Sequence, residues 1–472
     1  MPARSPAVLD EGRKDDDPHP ERRERGDRAP PRPMTLAEEV QRAGVVGAGG
    51  GGFPTHVKLA GRADTVVANG AECEPLLHKD AACLEHQAAA VVEGVRLAME
   101  AVGARRGVVA VKKKKEKAVE AVRTACQGTP VELALLGDYY PAGDEYDLVH
   151  EVTGRLIPPA GIPLDVGVLV ANVETLANVA AAARGEPVTD KLLTVAGAVK
   201  EPVTLRVPVG TSLREALALA GGATCPEPVL AIGGLMMGKT STDLDTPVTK
   251  TTTGVVVLPN DHRVATRKLS PPASQRRVGR SACDQCRYCT ELCPRYLLGY
   301  PVEPHQVMRT LAFTATGKAT FSALGALCCA CGLCTLYACP EDLFPKEACD
   351  DAKAELKRAG IPAPRPASVK PHPLRDGRRV PIAALIRKLA LRAYDHPAPL
   401  SARSVEPAEV RILLKQAAGV PNRPTVAKGE RVRKGQALGE IPGGALGALV
   451  HAPFEASVKA LTDDAVVLAR LP

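Results

Sequence analysis

Residues 283–294 read CDQCRYCTELCP, and residues 328–340 read CCACGLCTLYACP. The first run places Cys283, Cys286, Cys289 and Cys293 at C-x2-C-x2-C-x3-C-P. The second places Cys328, Cys331, Cys334 and Cys339 at C-x2-C-x2-C-x4-C-P. Three thiolates at x2 spacing wrap one corner of an iron–sulfur cubane, and the proline turns the chain away after the fourth. In two-cluster proteins the fourth cysteine of each run ligates the other cluster. The spacing therefore predicts one [4Fe-4S] cluster on Cys283, Cys286, Cys289 and Cys339. A second would sit on Cys328, Cys331, Cys334 and Cys293. Zinc sites use two pairs across a long gap, not four cysteines in one short run. Cys329 is spare, because it stands too close to Cys331 for the pattern. Cys73, Cys83, Cys126, Cys225 and Cys349 stand alone and read as small buried residues.

Fourteen cysteines in 472 residues need metal more than disulfides if the chain is cytosolic. The sequence has no apolar run long enough to span a membrane and no apolar leader region, so a cytoplasmic location is expected. Aromatic residues make up 3% of the chain and Trp is absent, which leaves nothing to stack on nucleic-acid bases. The net charge of +8 reads as a solvated basic surface. It does not come from residues 1–33, where eight Arg/Lys balance eight Asp/Glu.

Texture divides the chain. Residues 1–33 are charged and Pro-rich, with too little apolar surface to offset chain entropy, so they are expected to be disordered. From Thr35, a short capped helix and a Gly-rich loop lead into strands TVVANG, GVVAVK, VELALL and GVLVAN. These alternate with helical stretches, the pattern of an α/β domain with a parallel sheet. Residues 191–259 read as four strands around one helix, SLREALALA, capped by Thr211 or Ser212. After the cysteines come a Pro-rich linker and a basic helix near IAALIRKLALRAY. The tail has short strands with Gly turns, which suggests a compact sandwich or barrel. The run Lys112–Lys115 reads as a solvated loop.

The loop GAGGGGFPTHVKL follows a helix, not a strand, so it is not a dinucleotide fingerprint. Its glycines let a flat ring or a phosphate approach the backbone. This loop, with VVANGAECEP, YPAGDE and ANVETLANV, resembles the flavin-binding subunit of respiratory complex I, and more closely the C subunit of Rnf ion-translocating complexes. With CDQCRYCTELCPRYLLGY, GIPLDVGV and a C-terminal β-sandwich, it is most similar to the PduS-type cobalamin reductases of propanediol-utilisation microcompartments.

The resemblance implies a multidomain fold. It comprises an FMN- and NADH-binding α/β domain (34–190), an SLBB β-grasp α+β domain (191–265) and an α-helical ferredoxin-like domain with two [4Fe-4S] clusters (270–360). A linker with the basic helix (361–403) and a lipoyl-like barrel-sandwich domain (404–472) follow. By motif position, Gly47, Gly49, Gly50, Gly52 and Lys58 would hold FMN, joined by Asn69, Glu72 and Asn172. Phe53, Glu74, Tyr140 and Glu145 would contact the nicotinamide dinucleotide. A carboxylate such as Glu74 can accept ribose hydroxyls and repel a 2′-phosphate, favouring NADH. The chain departs from the complex I pattern at Gly70-Ala71, at Ala171 and at Gly61, which removes one acidic flavin contact and one aromatic residue.

The implied activity is electron transfer from NADH through FMN and the clusters, with no side-chain acid or nucleophile. The implied acceptor is a corrinoid, with a corrinoid adenosyltransferase as partner and a microcompartment as possible location. An Rnf-like membrane-complex subunit exchanging electrons between NADH and ferredoxin is the alternative. A scaffold with structural clusters is the reading from another class. The lone histidines His56 and His78 read as loop or surface residues rather than cobalt ligands.

Residues 233–240, GGLMMGKT, match the phosphate-loop pattern G-x-x-x-x-G-K-[ST]. A phosphate loop needs a helix directly after it. Here STDLDTPVTKTTTG follows, with a proline, six threonines and no helical period. The segment therefore predicts a β-grasp loop facing the flavin domain or the clusters, not an ATP site.

Overall fold

A computed structural model describes residues 34–312 and 318–471. The disorder expected for residues 1–33 lies outside the described residues. Thr35 caps helix α1 (Leu36–Arg42), and the Glu38 side chain returns to its backbone in a capping box. The glycine loop follows, pinched by a bridge between Val46 and Pro54 and closed by α2 (Thr55–Leu59).

Strands β1 (Thr65–Gly70), β2 (Arg106–Lys112) and β3 (Val131–Leu136), the two-residue β4 (Tyr139–Tyr140) and β5 (Val168–Asn172) come next. Four of them form a parallel sheet in the order β3-β2-β1-β5. Helices α3 (Lys79–Val102), α4 (Glu116–Cys126) and α6 (Val173–Ala182) cover one face, and α5 (Glu145–Thr153) the other. Strands β1, β2 and β5 are buried on both faces, which explains why they read as nearly continuous apolar runs, while the edge strand β3 is partly exposed. Gly94 lets α3 and α6 touch: a Cβ there would lie 1.9 Å from Leu176 O. The strand ends carry the chemistry, because β1 runs out into Glu72 and Glu74, and β5 ends at Asn172.

Strands β6 (Asp190–Gly197), β7 (Val203–Pro208), β8 (Pro228–Ile232), β9 (Lys239–Ser241) and β10 (Gly254–Pro259) form a mixed sheet, ordered β7-β6-β10-β8-β9. Helix α7 (Leu213–Leu219) packs Leu213 and Leu217 against Leu205, Val255 and Val257. Ser212, not Thr211, caps it, in a capping box with Glu215. The sequence predicts four strands here; the fifth, β9, is the polar end of GGLMMGKT. Strand pairing with β8 holds it where composition gives no sign of a strand.

The cysteine region is built from short helices and two longer ones, Pro272–Ala282 and Pro345–Arg358. Residues Cys334–Ala338 form a π turn in which Cys339 N–H donates to Cys334 O. Within 361–403, the basic helix expected near IAALIRKLALRAY is Ile382–Lys388, and the segment from Arg375 onward packs against the rest of the chain. Val380–Pro381 pairs antiparallel with β4. Leu385, Ile386 and Leu389 share a core with Leu235, Met236 and Leu333. The tail forms a four-stranded antiparallel sheet and a two-stranded ladder around Val410, Ile412, Val450, Phe454 and Leu468. Among the described residues, no helix is long and apolar enough to cross a membrane.

Candidate functional site

A cavity of about 780 Å³ opens between the parallel sheet and the β-grasp unit. That size suits a cofactor with part of a second ligand. Gly47, Gly49, Gly50 and Gly51 line it, with Phe53 at 36% exposure on its rim. A Cβ at Gly50 or Gly51 would meet no atom within 4 Å, so the loop presents bare backbone to open space. A Cβ at Gly49 would press on Asn172 at about 3.2 Å. Gly52 is buried behind the wall against Thr251 and has φ +62°, so its role is to turn the loop.

Behind the glycines lies a buried charge cluster that sequence reasoning missed. Lys79 Nζ reaches Glu174 Oε2 (2.9 Å) and Asp80 Oδ1 (2.5 Å). Lys191 Nζ also binds Glu174 and donates to Ala48 O in the glycine loop (2.9 Å). Burial would raise the Glu174 carboxyl, but Lys191 and Lys79 hold it down at about 2. Asn172 caps α6 and donates to both Asp80 oxygens at 3.0 Å. Glu72 accepts from Asp80 N–H (2.8 Å) and Ala81 N–H (3.3 Å), which fixes the start of α3. Burial, then the Asp80 charge, push Glu72 up to about 7. Its φ of +24° is rare for a non-glycine residue, and such strain concentrates at functional sites. The signal in the sequence was the charged start of α3, KDAAC, which no exposed helix face requires.

The remaining expected contacts divide. Lys58 lines the cavity, donates to Val170 O (2.9 Å) and pairs with Glu145 (3.3 Å). Asn69 lines it too and holds Gly143 O at 2.9 Å. Glu74 reaches the wall, but both of its oxygens accept backbone N–H groups, from Met236 (2.8 Å) and Met237 (2.7 Å). It therefore clamps the GGLMMGKT loop to the flavin side, and burial raises its carboxyl. Tyr140 departs from its expected dinucleotide contact. It is 2% exposed and absent from the cavity wall, and its hydroxyl donates to Cys331 O at 2.6 Å. Cys331 itself lies on the wall.

The thiols gather in two sets. Cys283, Cys286, Cys289 and Cys339 line one small cavity together, so the fourth thiol comes from the other run. Cys293 lies with Cys328, Cys331 and Cys334. The π turn absorbs the extra residue of the x4 spacing, so Cys339 still reaches the first set. Among the described residues, no three His, Cys, Asp or Glu side chains close around a point suited to a single ion. A cubane spreads its thiolates over separate irons, and two sets of four thiols match that donor chemistry. Cys329 and Cys349 are nearer than the sequence suggests. Both remain free thiols: Cys329 accepts hydrogen bonds from Cys331 and Arg295, and Cys349 donates one to Cys328.

Four family descriptions match consecutive parts of the chain. They are a Nuo51 FMN-binding domain over residues 40–181 and an SLBB domain over 192–240. A 4Fe-4S dicluster domain covers 282–344, and an RnfC barrel-sandwich hybrid domain covers 397–470. Together with the cavity and the thiol sets, they define an oxidoreductase that carries flavin and two [4Fe-4S] clusters. The chain is 42% identical over 440 residues to the cobalamin reductase PduS of Citrobacter freundii, covering 93% of this chain and 97% of that protein. It is 42% identical to the PduS of Salmonella typhimurium over 438 residues, covering 92% and 96%. The chain belongs to the PduS cobalamin reductase family. The Na(+)-translocating ferredoxin:NAD(+) oxidoreductase complex of Acetobacterium woodii has a C subunit that is 36% identical over 269 residues, covering 56% of this chain and 58% of that protein. The Rnf-like reading is thus the weaker one.

Proposed function

We propose that this protein takes electrons from NADH and delivers them, through FMN and two [4Fe-4S] clusters, to a corrinoid. One observation supports this reading most: the cavity lined by the glycine loop also has Cys331 on its wall. The place suited to a flavin and a thiol of the second set therefore share one space. Bound FMN supplies the change from two-electron to one-electron chemistry, and the clusters supply one-electron relays.

The chain's own residues prepare this path. Gly49, Gly50 and Gly51 admit a flat ring, and Gly52 turns the loop. Lys191 fixes that loop through Ala48 O, and Glu174 fixes Lys191. Asn69, Glu72 and Asn172 set the ends of β1 and β5 and the starts of α3 and α6 around it. Lys58 offers a positive charge at the floor, and Phe53 a ring at the rim. Tyr140 holds the Cys331 peptide against the flavin domain. Cys283, Cys286, Cys289 and Cys339 would hold one cluster, and Cys328, Cys331, Cys334 and Cys293 the other. The finer assignments, a corrinoid adenosyltransferase as partner and a microcompartment as location, rest on the family resemblance alone.

The test is an anaerobic titration of the purified protein with NADH. The flavin bands are expected to bleach, the broad cluster absorbance to fall, and added cob(III)alamin to be reduced. Spectra left unchanged by NADH would refute the donor, and a reduced protein inert to cob(III)alamin would refute the acceptor.

A further inference from the structure

The loop GGLMMGKT and the threonines after it have no part in the path just described. Strands β10, β8 and β9 are neighbours, with Ile232 in register with Val255 on one side and Lys239 on the other. This register brings Thr253, the Gly233–Gly238 loop and Lys239 to the same end of three adjacent strands. The outer two are separated by two strand spacings, about 10 Å. Thr253, Gly233, Gly238 and Lys239 all line the cavity. Gly238 makes the wall bare backbone, since a Cβ there would strike Gly234 O at 2.2 Å.

Hydroxyls crowd this end. Thr249 Oγ1 lies 3.0 Å from Thr251 Oγ1 and 3.1 Å from Thr252 Oγ1. Thr253 is 7% exposed, and its Oγ1 is buried without a hydrogen-bond partner. An orphaned buried hydroxyl is costly, and a ligand atom in the cavity would satisfy it. Lys239 is exposed and forms no ion pair among the described residues. The other lysines on the wall are committed, Lys58 to Glu145 and Lys79 to Asp80 and Glu174. Lys268 adds a second positive charge behind the loop, donating to Gly238 O at 2.9 Å. Glu74, the carboxylate that touches this loop, has both oxygens occupied by N–H donors. Carboxylates otherwise face the flavin end, where Glu72, Asp80, Asp144 and Glu145 lie.

We propose that this β-grasp end of the cavity, with Lys239, Thr253 and the Thr249–Thr252 hydroxyls, seats the diphosphate of the dinucleotide. The proposal rests on the reading of NADH as donor. A diphosphate offers anionic acceptors to Lys239 and to the hydroxyl donors, while carboxylates at the far end suit a ribose diol. The same phosphate chemistry could come from the flavin monophosphate, and the test separates the two.

The holoprotein and its Lys239→Ala and Thr253→Val variants are titrated calorimetrically with ADP-ribose, which carries the diphosphate, and with adenosine, which does not. Flavin and iron per chain are measured alongside, and Thr253→Val is close to isosteric, so its fold is expected to survive. Each variant should bind ADP-ribose about 10-fold more weakly, the scale of one charged hydrogen bond. Adenosine binding, flavin content and iron content should stay at the wild-type level. Equal ADP-ribose affinity in all three proteins would overturn the proposal. Loss of flavin from both variants would also overturn it and assign the site to the flavin phosphate. If NADH bleaches the wild type while the variants bind ADP-ribose normally, only this proposal fails. If NADH leaves the wild type unchanged, the donor reading fails first.

Discussion

Glu174 serves two buried lysines with one carboxylate, and its second oxygen accepts Leu192 N–H at 3.0 Å. Removing its charge would strand Lys79 and Lys191 beneath the glycine loop. Breaking a buried pair from one side costs about 3–5 kcal/mol, because the remaining charge stays desolvated. Glu174→Gln is therefore expected to lower the thermal midpoint sharply at pH 7 and to release flavin. A variant that keeps both wild-type stability and flavin would show that the cluster is not needed. The acid side carries a sign as well. The Glu174 carboxyl sits at about 2 in the fold against 4.5 without it. Its contribution is present above pH 4.5 and is lost as pH falls toward about 2. The gap between wild type and Glu174→Gln should narrow through that window.

At the scale of elements, the π turn at Cys334–Ala338 reconciles an irregular motif with a regular site. The x4 spacing differs from the x3 of the first run, yet Cys339 lies with Cys283, Cys286 and Cys289. A single inserted residue in a helix is accommodated as a π bulge. Deleting Tyr337, which is only partly buried, should convert the turn to the ordinary i→i+4 form and leave iron and sulfide content near wild type. A drop to half the iron would mean that the insertion sets the ligand geometry. The same turn shows what was legible in the sequence. Thiolate spacing carries ligation because cluster chemistry fixes it locally. The parallel strands were readable because β1, β2 and β5 are buried on both faces and nearly every residue in all four is apolar. Strand β9, the packing of residues 375–391 and the bond from Tyr140 to Cys331 O were not readable. Each depends on partners far away in sequence, and none leaves a local period. GGLMMGKT was readable as something other than a phosphate loop, since a proline, six threonines and no helical period follow it. Its clamp by Glu74 was not.

At the scale of the molecule, Lys250 joins three regions. It belongs to the β-grasp unit, and its ammonium donates to Gly44 O (2.8 Å) beside the glycine loop and to Leu449 O (2.7 Å) in a loop of the C-terminal unit. Gly44 permits the contact, because a Cβ there would lie 2.3 Å from Leu449 O and 2.6 Å from Lys250 Nζ. His451 closes the junction by bonding Arg42 O at 2.9 Å. Lys250 is 2% exposed, and no carboxylate pairs with it among the described residues. Burial pushes its ammonium down to about 7 from 10.5. Burial and the nearby Lys250 charge push His451 down to about 3. Between pH 7 and 10.5 the unfolded chain therefore holds a proton on Lys250 that the folded chain does not. Stability then rises with pH across that window, by up to about 1.4 kcal/mol per unit from this one group. Below pH 7 the folded protein carries the full penalty of the buried charge. Lys250→Met removes the titration and leaves two carbonyls to find other donors, a cost that does not vary with pH. Thermal midpoints of the holoproteins at pH 6 and pH 9 check this. Wild type should gain on Lys250→Met as the pH rises, whichever of the two is more stable at pH 6. Parallel shifts of both proteins would mean that Lys250 keeps its charge throughout, and that the three regions meet on a solvated ammonium rather than a dry one.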